Sequence, residues 1–405
     1  MMADFILPQT GGLHDRLVEY LDEFPLSEFV LDTLGQELWE LDQYISDKTL
    51  KLPEIAIYAD TKDLSNRLLD AFETLPWHYQ LTIPLPAQLN KLLDINQFEI
   101  VLSPEVRIVR PNDAFGAQFP LETLVERRSQ RLKGYTGGFL SLLGDPEPAK
   151  WQDDWVCLQI AAEGFVGQYG GSPTAHKAER LLSSFCGLGL ATRLFKWEHT
   201  YSATPFKAFA FVHRRLQNDN WEAVTRYDLN DLITRGLAGL KLHDLEGYLG
   251  DEAKLRSWAH YRIADMGTVF VAGERSDPIT LASQWLFDSY CGQDQLLSFI
   301  QAMVVLEILL GNKSISDEIG IGELISNRFA YLIGTTHEER AELLKAFKDI
   351  YRVRSQIVHS GKHKLTLAER SLFSRLRWMC RRAIDKEVDL LKAGTEKEKP
   401  AMTTG

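Results

Sequence analysis

Over its first half the chain places apolar residues in short runs punctuated by proline, asparagine and aspartate, the texture of β-strands joined by turns. Residues 54–58, 78–85, 98–102, 106–110, 155–161, 206–213 and 221–227 read as strands, and the last two flank Gln217-Asn218-Asp219-Asn220 as a hairpin would. Helical spacing occupies residues 13–44, broken at Pro25, and 175–196. Residues 1–240 therefore predict a mixed α/β domain with a largely antiparallel sheet. Past Gly236, Gly239, Gly247 and Gly250 the texture changes and nearly every segment to residue 395 is helical. The fold class is α+β: a sheet-bearing N-terminal domain, an all-α bundle over 241–395, and a polar tail over 396–405, with disorder expected from Ala393 onward.

The helical half signals its own boundaries. Asp277-Pro278 supplies a cap and a first-turn proline, and Thr336-x-x-Glu339 and Thr366-x-x-Glu369 are capping boxes ahead of the last two helices. The final helix has an apolar seam at Leu372, Leu376, Met379 and Ala383. The run LLSFIQAMVVLEILL, 296–310, is apolar almost all round and predicts a buried helix whose single ionisable residue is Glu307. In the next-to-last helix the apolar positions Leu343, Phe347, Ile350 and Ile357 leave one gap in their seam, and Arg354 fills it. A guanidinium directed at a core cannot shed its charge and needs a carboxylate or an anionic ligand, so Glu307 is its expected partner. His359 precedes Ser360-Gly361 and belongs to the last turn. Five positions on an α-helix turn through about 140°, so Arg354 and His359 do not stand side by side on one straight helix.

Tyr351, Arg354-Ser355, Ile357-Val358-His359 and Gly361 resemble the Arg-x4-6-His signature of the HEPN superfamily, in the wording of its Apea-like branch. Leu306-Glu307, the run ISNRFA at 325–330 and Leu332-Ile333-Gly334 match that branch in order and spacing, and the likeness covers about the last third of the chain. Ser355 departs from the Asn, Asp or His that often follows the arginine in HEPN toxins. The resemblance implies a metal-independent endoribonuclease with no cofactor. Arg354 would clamp the phosphate, His359 act as general acid or base, Glu307 orient Arg354 and Ser355 hydrogen-bond the phosphate. The implied substrate is RNA, tRNA or mRNA, cut to a 2′,3′-cyclic phosphate and a 5′-OH. The implied assembly is a homodimer or a larger even-numbered oligomer. The implied setting is bacterial defence against phage, with residues 1–240 sensing a phage-derived trigger. The alternative is a non-catalytic module that binds RNA or a protein partner through the same helices.

Charge and composition narrow these readings. The 405 residues carry a net charge of −11, which opposes sequence-blind coating of nucleic acid and confines any RNA contact to a local basic site. Arg375, Arg377, Arg381 and Arg382, in the helix after the motif, are the candidate RNA-binding row; ERRSQRLK at 126–133 is a second basic run, and each also reads as a solvated helix face. His359 and His363 have the spacing of a helical zinc pair, but Gly361 breaks the helix between them and no third ligand is evident, so no metal site is expected. GFVGQYGG, 164–171, lacks a following Gly-Lys-Ser/Thr and reads as a flexible loop, with Trp151 and Trp155 as packing residues. Four scattered cysteines and no long apolar span predict reduced thiols, no membrane contact and a cytoplasmic protein.

Overall fold

Among the described residues the strands of the first half are β1 (Trp77–Pro84), β2 (Glu99–Val101), β3 (Val106–Val109), β4 (Cys157–Gly164), β5 (Phe195–Trp197), β6 (Phe209–Arg215), β7 (Trp221–Asp228) and β8 (Leu240–Leu242). The computed structural model describes residues 29–30, 33–34, 61–94, 96–121, 150–167, 172–199, 206–243, 251–311 and 320–398. Most of the helix expected over 13–44, the strand at 54–58, the basic run 126–133 and residues 399–405 lie outside the described residues. Six strands form one antiparallel sheet in the order β2-β3-β4-β1-β6-β7, while β5 and β8 pair separately. The predicted hairpin joins β6 and β7, closed by Leu216 N–H donating to the Asn220 carbonyl at 2.8 Å.

Strand alternation gives this sheet two different faces. On β6, Ala210 and Val212 join the main core, whereas Phe211 packs on the opposite face with Leu121 and Ala223, under Trp151, Trp155 and Phe209. His213 belongs to that second face. It is fully buried, its Nε2 lies 3.1 Å from the Pro120 carbonyl, and Trp151 stacks beside it. Trp151 and Trp155 are packing residues, as expected.

Among the described residues the first half also holds helices α1 (Thr61–Glu73), α2 (Asp113–Gln118), α3 (Pro173–Ala191) and α4 (Asp231–Ala238). Ser172 caps α3 by accepting the Ala175 N–H. The helix stops at Ala191, five residues before the expected 196, because Arg193 takes a positive φ of 64° and turns the chain into β5. Phe195 then folds back onto Phe185 and Gly189.

Among the described residues the second half comprises α5 (Glu252–Val271), α6 (Asp277–Cys291), α7 (Gln295–Leu310), α8 (Ile321–Ile333), α9 (His337–His359) and α10 (Leu367–Glu398). Asp277 is not the cap of α6. Ser276 precedes the helix and spends its hydroxyl on the Val269 and Gly273 carbonyls, leaving Asp277 and Pro278 in the first turn. Both predicted capping boxes form, Thr336 with Glu339 and Thr366 with Glu369. The last helix continues through Ala393 and Gly394 to Glu398, where the composition reads as a disordered tail. One hydrophobic core runs from Tyr79 on β1 to Val388 on α10 without a break between the halves. The tightest passage is α3 against α6: Ser184 donates to the Thr280 carbonyl at 3.0 Å, and a Cβ on Gly187 would collide with the Ser283 carbonyl. Among the described residues no helix is long and apolar enough to cross a membrane.

Candidate functional site

Helix α9 carries the motif residues, and its apolar stripe decides where they point. Leu343, Phe347, Ile350 and Val353 are buried, so Val353 occupies the position in the seam that Arg354 was expected to fill. Positions three and four beyond Ile350 both lie on its side of the helix, and packing chooses between them. The stripe follows α8, whose Ile325, Phe329 and Ala330 are buried against it, while Arg354 turns toward the flank facing α7. Tyr351 is held on the bare backbone of Gly322 and stacks along Phe347.

On that flank Arg354 meets Glu307. Nη2 stands 3.7 Å from Oε1, and each side chain is 26% exposed. The partnership expected from the sequence is present, but it is a rim pair and not a buried one. The guanidinium also sits 5.8 Å from the Tyr351 ring centroid. Arg328, from the same stretch of the signature, donates to the Leu310 carbonyl at 3.0 Å and ties α8 to the end of α7. Leu306, Ile325, Phe329 and Ala330 are core residues, so that portion of the signature is accounted for by packing.

His359 is exposed in the last turn, and Ser355 is half-buried. The helix does not fray before His359: Ser360 N–H donates to the Gln356 carbonyl at 3.1 Å, and Gly361 ends it at φ +61°. The divergence of about 140° between Arg354 and His359 therefore stands. The turn after His359 is pinned by Lys362, which reaches Glu369 at 2.8 Å and Gln356 at 3.3 Å, while Leu365 is buried beneath it. The Lys362 bond lowers the pKa of the Glu369 carboxyl. Glu369 thus serves both its capping box and this turn, a double duty that the capping pattern alone does not reveal.

The four arginines of α10 do not form one row. Arg375 and Arg382 share one stripe and Arg377 and Arg381 another, since seven residues turn through about 700° and four through about 400°. Arg375 is exposed, and Arg382 pairs with Asp385 at 3.1 Å. Arg377 lies between the Tyr290 and Phe373 rings, 4.1 Å from each centroid, and donates to the Ser289 carbonyl. Arg381 is half-buried with its Nε unpartnered. Of the four only Arg375 is exposed; Arg377 is spent on packing between α6 and α10.

Elsewhere burial moves several groups. It pushes Glu179 up to about 7 and Asp288 up to about 6, and draws His213 down to about 4. All four cysteines are buried thiols. Among the described residues no group of three or more His, Cys, Asp or Glu side chains is placed to hold a metal ion. Comparison of the chain with protein-family models, curated proteins and solved structures finds no match.

Proposed function

We propose that the chain is an endoribonuclease that uses Arg354 and His359 and needs no metal ion. The observation that carries the reading is the pair between Glu307 on α7 and Arg354 on α9, the arginine about one and a half turns before an exposed His359. The similarity of the motif to the HEPN signature gives this arrangement its chemistry. The RNA 2′-oxygen attacks the adjacent phosphorus, the bond from phosphorus to the 5′-oxygen breaks, and a 2′,3′-cyclic phosphate and a 5′-OH result. One proton leaves the 2′-OH and one reaches the departing 5′-oxygen; histidine, with an ordinary pKa near neutrality, is suited to either transfer. Arg354, steadied by Glu307, offsets the negative charge that builds on the phosphate, and Ser355 adds a hydrogen bond to it. DNA lacks the 2′-OH and is inert.

Because α9 stays helical to His359, a complete site draws Arg354 and His359 from different copies of the helix. The reading therefore includes a homodimer with two His359 side chains facing one cleft. The setting it fits is bacterial defence against phage, with residues 1–240 recognising the trigger.

Purified protein should cut RNA in EDTA, and Arg354→Ala or His359→Ala should each abolish cutting while circular dichroism and Tm stay near wild type. Mixing the two inactive variants should restore part of the activity, because one of the two composite sites in a mixed dimer is intact. Cleavage that survives both substitutions, or that depends on magnesium, would overturn the reading.

A further inference from the structure

A cleft of about 250 Å³ opens between the sheet and the helical half, lined by the 3-10 turn Ala87–Leu92, the end of β3, the end of β8 and one side of α5. Its fixed point is Arg110. The backbone N–H of Arg110 donates to the Phe98 carbonyl at 2.8 Å, and its Nη2 donates to the Asn90 and Leu93 carbonyls at 2.8 and 3.0 Å. Those acceptors are neutral, so the guanidinium keeps its whole charge, and among the described residues no carboxylate pairs with it. Its Nε and the side-chain oxygen of Asn90 are buried without partners. A guanidinium already locked in one orientation at a cavity wall, with its charge unpaired by a carboxylate among the described residues, recognises an anion with little ordering cost.

The rest of the lining is of another kind. Leu93, Leu242, Leu255 and Ala259 are apolar, and Trp258 presents an indole with the His243 ring 6.4 Å away. An anion-binding corner beside an aromatic and aliphatic wall suits a molecule with a charged head and a flat ring. The volume lies under the roughly 300–1,000 Å³ of drug-sized pockets, which restricts the occupant to mononucleotide size or less. Asp94 also lines the cleft, held by Arg256 at 3.1 Å. Its carboxylate works against an incoming anion and competes with it for Arg256.

We propose that this cleft binds a small aromatic anion of the nucleoside monophosphate class, with the phosphate on Arg110 and the ring against Trp258. The site is separate from Arg354 and His359, and the proposal stands or falls without the nuclease reading.

Titration calorimetry and thermal shift on the full chain test it with AMP, UMP, adenosine and inorganic phosphate. A monophosphate should bind and raise Tm, with adenosine and inorganic phosphate each at least about tenfold weaker, a difference of about 1.4 kcal/mol. Arg110→Gln should weaken monophosphate binding by about tenfold or more, and Asp94→Asn should tighten it several-fold. Leu255→Glu, at a partly exposed helix position, places a carboxylate in the cleft and should abolish binding without touching the Arg110 anchors. It decides the matter should Arg110→Gln fail to fold. The proposal is overturned by the absence of binding at millimolar concentration, by binding unchanged in Leu255→Glu, or by inorganic phosphate binding as tightly as AMP.

Discussion

Replacing Glu307 by glutamine removes one charge from the pair with Arg354 and leaves the shape of the side chain almost intact. At the observed 3.7 Å the Coulomb attraction is about 1 kcal/mol at the dielectric of water and about 4.5 kcal/mol at an effective dielectric of 20. Each partner is 26% exposed and the separation exceeds hydrogen-bond range, so solvent screens the pair and no short N–H···O bond adds to it. Exposed ion pairs contribute about 0.2–1 kcal/mol, whereas removing one partner of a buried pair costs about 3–5 kcal/mol. The geometry places this pair near the first class, with a coupling of about 1 kcal/mol expected. Urea denaturation of wild type, Glu307→Gln, Arg354→Gln and the double variant isolates that coupling, which should shrink in high salt. A coupling indistinguishable from zero would mean that the pair does not form, and one above about 3 kcal/mol that it is buried and hydrogen-bonded; either refutes the reasoning. Under the proposed function, Glu307→Gln should also slow RNA cleavage, because Arg354 would lose the group proposed to orient it.

Gly187→Ala should destabilise by about 2–3 kcal/mol, read as a lowered urea midpoint, because the new methyl meets the Ser283 backbone and not a side chain that can move aside. Arg377→Ala should cost about 2 kcal/mol through lost stacking on Tyr290 and Phe373, while exposed Arg375→Ala should stay within about 0.5 kcal/mol. Burial holds His213 neutral down to about pH 4, against an ordinary value of 6.5. The unfolded chain therefore binds the extra proton between about pH 6.5 and 4, and stability falls as pH falls through that window, by roughly 3 kcal/mol in total. Glu179 and Asp288, raised to about 7 and about 6, titrate with the opposite sign, so the His213 share is read as the wild-type slope minus that of His213→Gln. Equal slopes would show that His213 titrates alike in both states.

The six strands of the large sheet were legible because each is a short apolar run cut off by a residue that cannot continue it, and β1, β3 and β7 fall within one or two residues of their expected limits; the three-residue strands β5 and β8 were not. The end of α3 was not, since the reversal rests on a positive φ at an arginine, a residue that carries no turn signal. The lone charge in the apolar run 296–310 identified Glu307 as the partner of Arg354, whereas periodicity placed Arg354 in the buried seam that Val353 occupies. It did not separate Arg354 from Val353, because that choice belongs to which neighbouring helix α9 packs on. The split of the α10 arginines onto two stripes was available from helix geometry alone; the aromatic sandwich on Arg377 was not, as Tyr290 lies 87 positions away in the chain. The Arg110 cleft gathers residues from 90 to 259 and has no local signature at all.

Where α3 crosses α6, main chain rests on main chain, with no side chain between Gly187 and Ser283 to act as a bearing. Two helices in such contact have no slack. Neither rolls nor slides unless the other bends, so a tilt of the sheet layer would carry α6 with it as a rigid lever, and with α6 the adjoining α7 that bears Glu307. Cutting the chain before α5 would strip that contact and open Ile279, Ala282 and Phe287 to water. The helical half expressed alone should therefore aggregate, and limited proteolysis of the intact protein should release no stable fragment from it.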